Sequence, residues 1–290
     1  MKGWSLVGDA ICGPVETRVQ ISKRDEWPRI SRLSVKCVVA YLVQPSEHVQ
    51  VLVFPHSKEI SILGHAPEIE SDLLNALLAE QVMPRILAHS GHMVVHASTV
   101  EINGTAVLFL APTGSGKSTL GASFQLSGYD LLGDDAAILA LDAAGVTAEV
   151  PYPSLRLRSD SCAALYGERE GSISPFAPNG KHRFQLAHWG QVPSRRVPVQ
   201  AIFFLTGREA NNEIQLRSCA AADACMGLIQ NCFALDPTDA AGAQKRLATA
   251  GAIASRVRCH QINYPDDFGA LEQVRSAVLS VLGKPNWQLA

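Results

Sequence analysis

The chain has 290 residues, enough for one large domain or two modest ones, and 47% of them are apolar against 18% charged, the balance of a globular protein. A net charge of −2 with no long basic run speaks against bulk nucleic-acid binding, and no apolar stretch reaches the ~18 residues of a membrane-spanning helix. The seven cysteines (Cys12, Cys37, Cys162, Cys219, Cys225, Cys232 and Cys259) are dispersed, without a C-x-x-C or a zinc-finger spacing, and read as reduced, buried thiols. The N-terminus lacks a signal-peptide apolar core, so the expectation is a cytoplasmic protein with no nucleic-acid and no membrane partner.

Residues 1 to about 30 show little periodicity and read as irregular. Three short Val/Ile-rich runs follow, Val35–Val43, His48–Phe54 and Glu59–Leu63, each bounded by Pro, Ser or Gly. They suggest a small β-rich module over residues 1–68, with 69–290 forming a second domain. Asp72–Ala88 is helical in pattern, with Leu73, Leu77 and Val82 on its apolar face, and Pro84 predicts a kink or a break. Then His92–Ile102 and Thr105–Leu110 flank Asn103-Gly104, the strongest short hairpin signal. That hairpin puts His96 and Ser98 on the strand paired with Thr105–Leu110.

The second strand runs into Ala111-Pro-Thr-Gly-Ser-Gly-Lys-Ser-Thr119 and then a helical stretch to Leu126. Strand, glycine-rich loop ending in Gly-Lys-Ser and helix form the context of a phosphate-binding P-loop, with Ala111 at the first glycine position of the usual pattern. Gly114 and Gly116 let backbone N–H groups turn inward as an anion nest, and the helix N-terminus adds its dipole. A nucleotide would be held by Pro112, Thr113, Gly114, Ser115, Gly116, Lys117, Ser118 and Thr119, with Lys117 on the β- and γ-phosphates and Ser118 on Mg²⁺.

Beyond the loop, Gly128–Asp135 reads as a strand ending in two acids, and Ala136–Leu141 with Val146–Val150 as a second hairpin. Pro151–Arg158 follows, then a loop over 166–180 expected to be mobile, then Lys181–Phe184 and a buried strand, Val199–Leu205. Helical text returns near 220–233 and 240–256. A strand near Arg258–Tyr264 and a helix from Phe268 to Leu282 complete the chain. The fold class expected is α/β.

A P-loop enzyme needs a further carboxylate for Mg²⁺ or for the nucleophile's proton. The strand Val199–Leu205 ends in Thr206-Gly207 with no acid, and no Asn-Lys-x-Asp or Leu-Ser-Gly-Gly-Gln signature occurs. Asp134 and Asp135 are the well-placed acids. Neighbours on an extended chain point opposite ways, so one could coordinate Mg²⁺ while the other accepts a proton. Arg156 and Arg158 alternate on one side of an extended segment, as do Lys181 and Arg183. Either pair suits a phosphate clamp or lid, or a solvated edge. Ser98 could touch phosphate or pair across its hairpin.

The set Val95-His-Ala-Ser98, Asn103-Gly104, the loop 111–119 and Gly128-Tyr-Asp-Leu-Leu-Gly-Asp-Asp135 resembles the C-terminal catalytic domain of HPr kinase/phosphorylase and its kinase relatives. The match covers about residues 85–140. Pro153–Arg158, Lys181–Arg183 and the 199–205 strand look similar to the shorter relatives, some of which phosphorylate a serine of a lasso-peptide precursor. The long signature that follows the acidic pair in the HPr-modifying enzymes is not found. The resemblance implies a P-loop kinase domain with a mixed sheet flanked by helices, ATP and Mg²⁺ as cofactors, Asp134 as general base, and Asp135 near the metal and His96. The function it implies is transfer of the γ-phosphoryl group to a serine of a peptide or small protein. A small-molecule hydroxyl kinase and a non-catalytic ATP sensor are the alternatives, and association of copies of the chain is left open.

Overall fold

A computed structural model describes residues 5–6, 15–22, 28–35, 38–65, 71–167, 181–185, 195–207 and 213–283. They form two compact units, Met1–Gly91 with Phe233–Lys245, and His92–Cys232 with Arg246–Ala290.

The first unit is a six-stranded sheet built from β1 (Ser5–Leu6), β2 (Val15–Gln20), β3 (Arg29–Val35), β4 (Val38–Ser46), β5 (Val49–Phe54) and β6 (Glu59–His65), in the order β1-β6-β5-β4-β3-β2. All neighbours are antiparallel except β1 and β6. Helices α1 (Ser71–Leu77) and α2 (Met83–His89) follow, joined by a π-helical turn, Leu78–Val82. That turn sits just before Pro84, which has no N–H to give an α-helical ladder. Leu73, Leu77, Val82, Met83 and Ile86 pack with Tyr41, Val43, Val51 and Val53 of the sheet. This shared core is why the unit runs to Gly91 and keeps the helices that a boundary at residue 68 assigns to the other domain.

One expectation changes here. The stretch before residue 30 contains β2 and the start of β3, not irregular chain alone. The sheet is packed on both faces, so Ile30 joins the helix-covered core while Leu33 joins the opposite one with Ala40, Leu42 and Leu52. Apolar residues on both faces erase the period of two.

The second unit contains β7 (Met93–Val95), β8 (Ala97–Ile102), β9 (Thr105–Leu110), α3 (Lys117–Leu126), β10 (Asp130–Gly133), β11 (Ala137–Asp142), β12 (Gly145–Glu149), β13 (Ser154–Arg158) and α4 (Ser159–Tyr166). It continues with β14 (Lys181–Gln185), β15 (Arg196–Gly207), β16 (Gln215–Ser218), α5 (Ala221–Gln230), the part of α6 (Ala240–Ala254) from Arg246 on, β17 (Arg258–Asn263), a 3-10 turn (Phe268–Ala270) and α7 (Leu271–Leu282). Residues 168–180, most of the loop expected to be mobile, lie outside the described residues. The α/β class expected from the sequence is what the chain forms: nine strands make one mixed sheet, β10-β8-β9-β15-β12-β11-β7, with β17 also on β15 and β16 on β17. β13 and β14 pair separately.

β9 shows how sequence becomes sheet. Its six residues are all buried. Val107 and Phe109 face α3 and α7, whereas Ala106, Leu108 and Leu110 face α5 and α6. Phe109 stacks on Phe124 of α3 at 5.5 Å and lies 5.7 Å from Phe203 of β15. Fully burying such a side chain is worth about 1.5–3 kcal/mol, so α3 is pinned on the sheet just past the glycine-rich loop. Gly121 allows close approach, since a Cβ there would lie 2.1 Å from Ser98 Oγ on β8. The β8–β9 hairpin turns at Asn103 (φ 52°) and Gly104 (φ 77°), both left-handed as a two-residue turn requires.

Candidate active site

Strand direction gathers the site. β9 delivers the chain into the glycine-rich loop at its carboxyl end. β8 is antiparallel to β9, with Ala97 opposite Leu110, so His96 enters at that same end. β10 is antiparallel to β8, with Gly133 beside Thr99, and so releases Asp134 and Asp135 there too. Three chain segments therefore bring Lys117, His96, Asp134 and Asp135 to one edge of the sheet.

In the loop, Gly114 and Gly116 both have φ of 88°. Ser115 N–H donates to Pro112 O at 3.3 Å, and Leu120 N–H to Gly116 O at 2.9 Å. Gly116 is the N-cap of α3, and no side chain caps that end. Residues alternating into left-handed backbone turn successive N–H groups to one side, and the helix dipole reinforces them, which suits an anion. Lys117 is buried, and its Nζ donates to Ala111 O at 2.5 Å and Pro112 O at 3.1 Å, so the ammonium lies over the loop. Pro112, Thr113 and Gly114 are exposed, and Ser115, Gly116 and Ser118 half-buried. Thr119 turns inward to Ser161 Oγ at 3.0 Å.

The acids are both buried, Asp134 at 2% and Asp135 at 4% exposure, which is rare for carboxylates without specific company. Asp135 has a defined set of partners. Arg156 grips it in two places, with Nε 3.0 Å from Oδ2 and Nη2 bonded to Oδ1. Ser154 Oγ lies 3.4 Å from Oδ2, and His96 Nε2 lies 3.8 Å from Oδ1, beyond hydrogen-bond length but within electrostatic reach. Burial alone would raise the Asp135 pKa, but the Arg156 charge outweighs it and His96 adds to the effect, holding the carboxyl well below its usual range. His96 moves the other way. Its burial, together with the Lys117 and Arg156 charges, outweighs Asp135 and lowers its pKa from 6.5 to about 4, so the ring is neutral near pH 7. Asp134 in turn acts electrostatically on Arg156. The edge is thus a coupled set of two acids, two cations and a neutral imidazole.

The remaining sequence candidates separate. Arg156 is in the cluster, whereas Arg158, at the end of β13, is exposed and lies 3.6 Å from Asp160. The two do not act as one clamp. Lys181 and Arg183 lie on β14 opposite Arg158 and Arg156 by backbone register. Ser98 is fully buried, with Oγ against Gly121 of α3. Two contributors were not anticipated, Ser154 and Ser161. Ser154 stands two residues before Arg156 and so shares its side of the strand, a signal open to sequence reading. Ser161 belongs to α4, where no periodic apolar face announced a helix.

A Mg²⁺ site built only of side chains is not present among the described residues: no group of three or more His, Cys, Asp and Glu could hold a metal. Magnesium bound through a nucleotide needs only one or two protein oxygens beside phosphate and water. Ser118, in the first turn of α3, and Asp135 fit that smaller demand by donor chemistry, Asp135 sharing its oxygens with Arg156. No helix among the described residues is long and apolar enough to cross a membrane.

No protein-family model and no curated protein matches the sequence. Among solved structures, the HPr(Ser) kinase/phosphatase from Coxiella burnetii is similar over 66% of this chain and 93% of its own, at 15% identity and a TM-score of 0.30. The likeness is distant, and the chemistry has to be read from the site.

Proposed function

We propose that the chain is an ATP-dependent kinase that transfers the γ-phosphoryl group to a serine hydroxyl of a peptide or small protein. One observation carries the reading: a glycine-rich loop with an uncapped helix end, a lysine and a buried acid pair all meet at one edge of the sheet. Phosphoryl transfer needs positioning and charge neutralisation more than covalent help from the protein, and that combination suits it.

In this reading the loop amides and Lys117 bind the β- and γ-phosphates. Ser118 and Asp135 would hold Mg²⁺, which would supply neutralising charge to the phosphates. Asp134 accepts the proton of the attacking hydroxyl. Arg156, oriented by Asp135, would supply a fixed positive charge to the transferring group. His96 stays neutral, so it adds no charge that would compete for Asp135. A lasso-peptide precursor is an acceptor that the sequence resemblance suggests.

The test is incubation with Mg-ATP and serine-bearing peptides, including some ending in serine, followed by intact-mass analysis. A gain of one phosphate is expected, and Asp134→Asn should lower the rate about 10²–10⁴-fold while ATP still binds. Full transfer by that variant would remove Asp134 as base. No transfer to any peptide would move the acceptor to small molecules.

A further inference from the structure

We propose that Asn263 reads the base of the bound nucleotide and that the base it selects is adenine. This rests on the kinase reading and deepens it, because no base-reading motif is evident in the sequence.

The position is set by the parallel part of the sheet. β9, β15 and β17 run in one direction, and ligands of such sheets bind outside the carboxyl ends of the strands. Leu110 stands beside Phe204, and Phe204 beside Gln261. Asn263 is two residues further on, level with the glycine-rich loop and two strands across, about 10 Å to the side. A nucleoside triphosphate with its β- and γ-phosphates in the loop extends ribose and base over a distance of that order.

At that place Asn263 Oδ1 is shielded from solvent with no hydrogen-bond partner among the described residues, whereas buried polar atoms are nearly always paired. The residue beside it on β15 is Gly207, where even a Cβ would stand 3.9 Å from Oδ1. On that side no side chain satisfies the amide or fills the space, and Gln215, which stands opposite Asn263 on β16, makes no hydrogen bond to Oδ1. Nor does Asn263 cap the turn that follows, because Asp267 does so by accepting from Gly269 N–H at 3.0 Å. A carboxamide offers an acceptor and a donor side by side, matching the 6-amino group and N7 of adenine. Guanine and hypoxanthine present an oxygen at position 6, which would meet Oδ1 as a second acceptor.

The experiment is displacement of MANT-ATP by unlabelled ATP and ITP in the presence of Mg²⁺. The wild-type chain is expected to prefer ATP by about tenfold or more, the discrimination a two-point amide contact provides. Asn263→Ala should cut the preference below about threefold by weakening ATP alone, leaving ITP unchanged. Asn263→Asp keeps the shape and the acceptor but loses the donor, so it should fall between, and it carries the test if the alanine variant melts early. An unchanged ATP/ITP ratio in both variants, or equal weakening of both nucleotides, overturns the inference and leaves the kinase reading standing. No MANT-ATP binding by the wild type overturns both.

Discussion

Each unit buries an aspartate, and the two differ in company. In the first unit Asp236 accepts from Tyr41 OH at 3.0 Å through Oδ2, and from Thr238 N–H at 2.8 Å and Thr238 Oγ at 2.6 Å through Oδ1. Its charged neighbour, Arg32, is 3.7 Å away and 47% exposed. Burial would raise the Asp236 pKa, but these bonds pull it down, while the Tyr41 hydroxyl is pushed up by its own burial first and then by the Asp236 charge and hydrogen bond. The result is a tie between Asp236 and strand β4, made mostly of neutral donors. Asp135 instead shares a sheet edge with a second buried acid, a lysine, an arginine and a histidine. A buried carboxylate is not by itself a site; the concentration of charge around it, beside a loop that can receive an anion, is what marks one.

The sharpest way to break that comparison is to neutralise both acids in turn. Asp135→Asn strands the buried Arg156 guanidinium, and breaking a buried pair from one side costs about 3–5 kcal/mol of unfolding free energy. Asp236→Asn keeps an acceptor for Thr238 and leaves Arg32 in solvent, so it should cost about 1 kcal/mol. Urea unfolding of the two variants measures both. Equal losses would mean that Asp135 is only another structural tie.

A smaller effect sharpens the electrostatic side. The unfolded chain protonates His96 near its ordinary pKa of 6.5, but the folded chain resists until about 4. Between those values the unfolded state binds the extra proton, so stability falls as pH drops through the window, by at most about 1.4 kcal/mol per pH unit from this residue. His96→Gln should flatten that slope in urea unfolding followed from pH 7 to 4. A slope as steep as before would place the histidine outside the charge cluster.

Much of the second unit was legible because its signals are local. The Asn103-Gly104 turn, the glycine-rich loop and the acids ending β10 each declare themselves within a few residues. Strand β9 alternates between two cores yet still reads as a buried run. What was hidden is relational. Arg156 meets Asp135 across 21 positions of sequence, and the i, i+2 pattern that grouped it with Arg158 could not show that β13 ends there in solvent. Likewise, β3 went unread because Ile30 and Leu33 serve opposite faces. The place of Asn263 emerges only once β17 is set parallel to β9 with β15 between them.

The central claim is that one edge of the sheet divides its work between holding phosphate and moving a proton. Calorimetric titration with Mg-ATP of the wild type, Lys117→Ala and Asp134→Asn tests it most directly. The account predicts binding by the wild type, affinity within about threefold of it for Asp134→Asn, and at least about tenfold weaker binding for Lys117→Ala, which removes a charged phosphate contact. Equal affinity in all three, or no binding by the wild type, would contradict it.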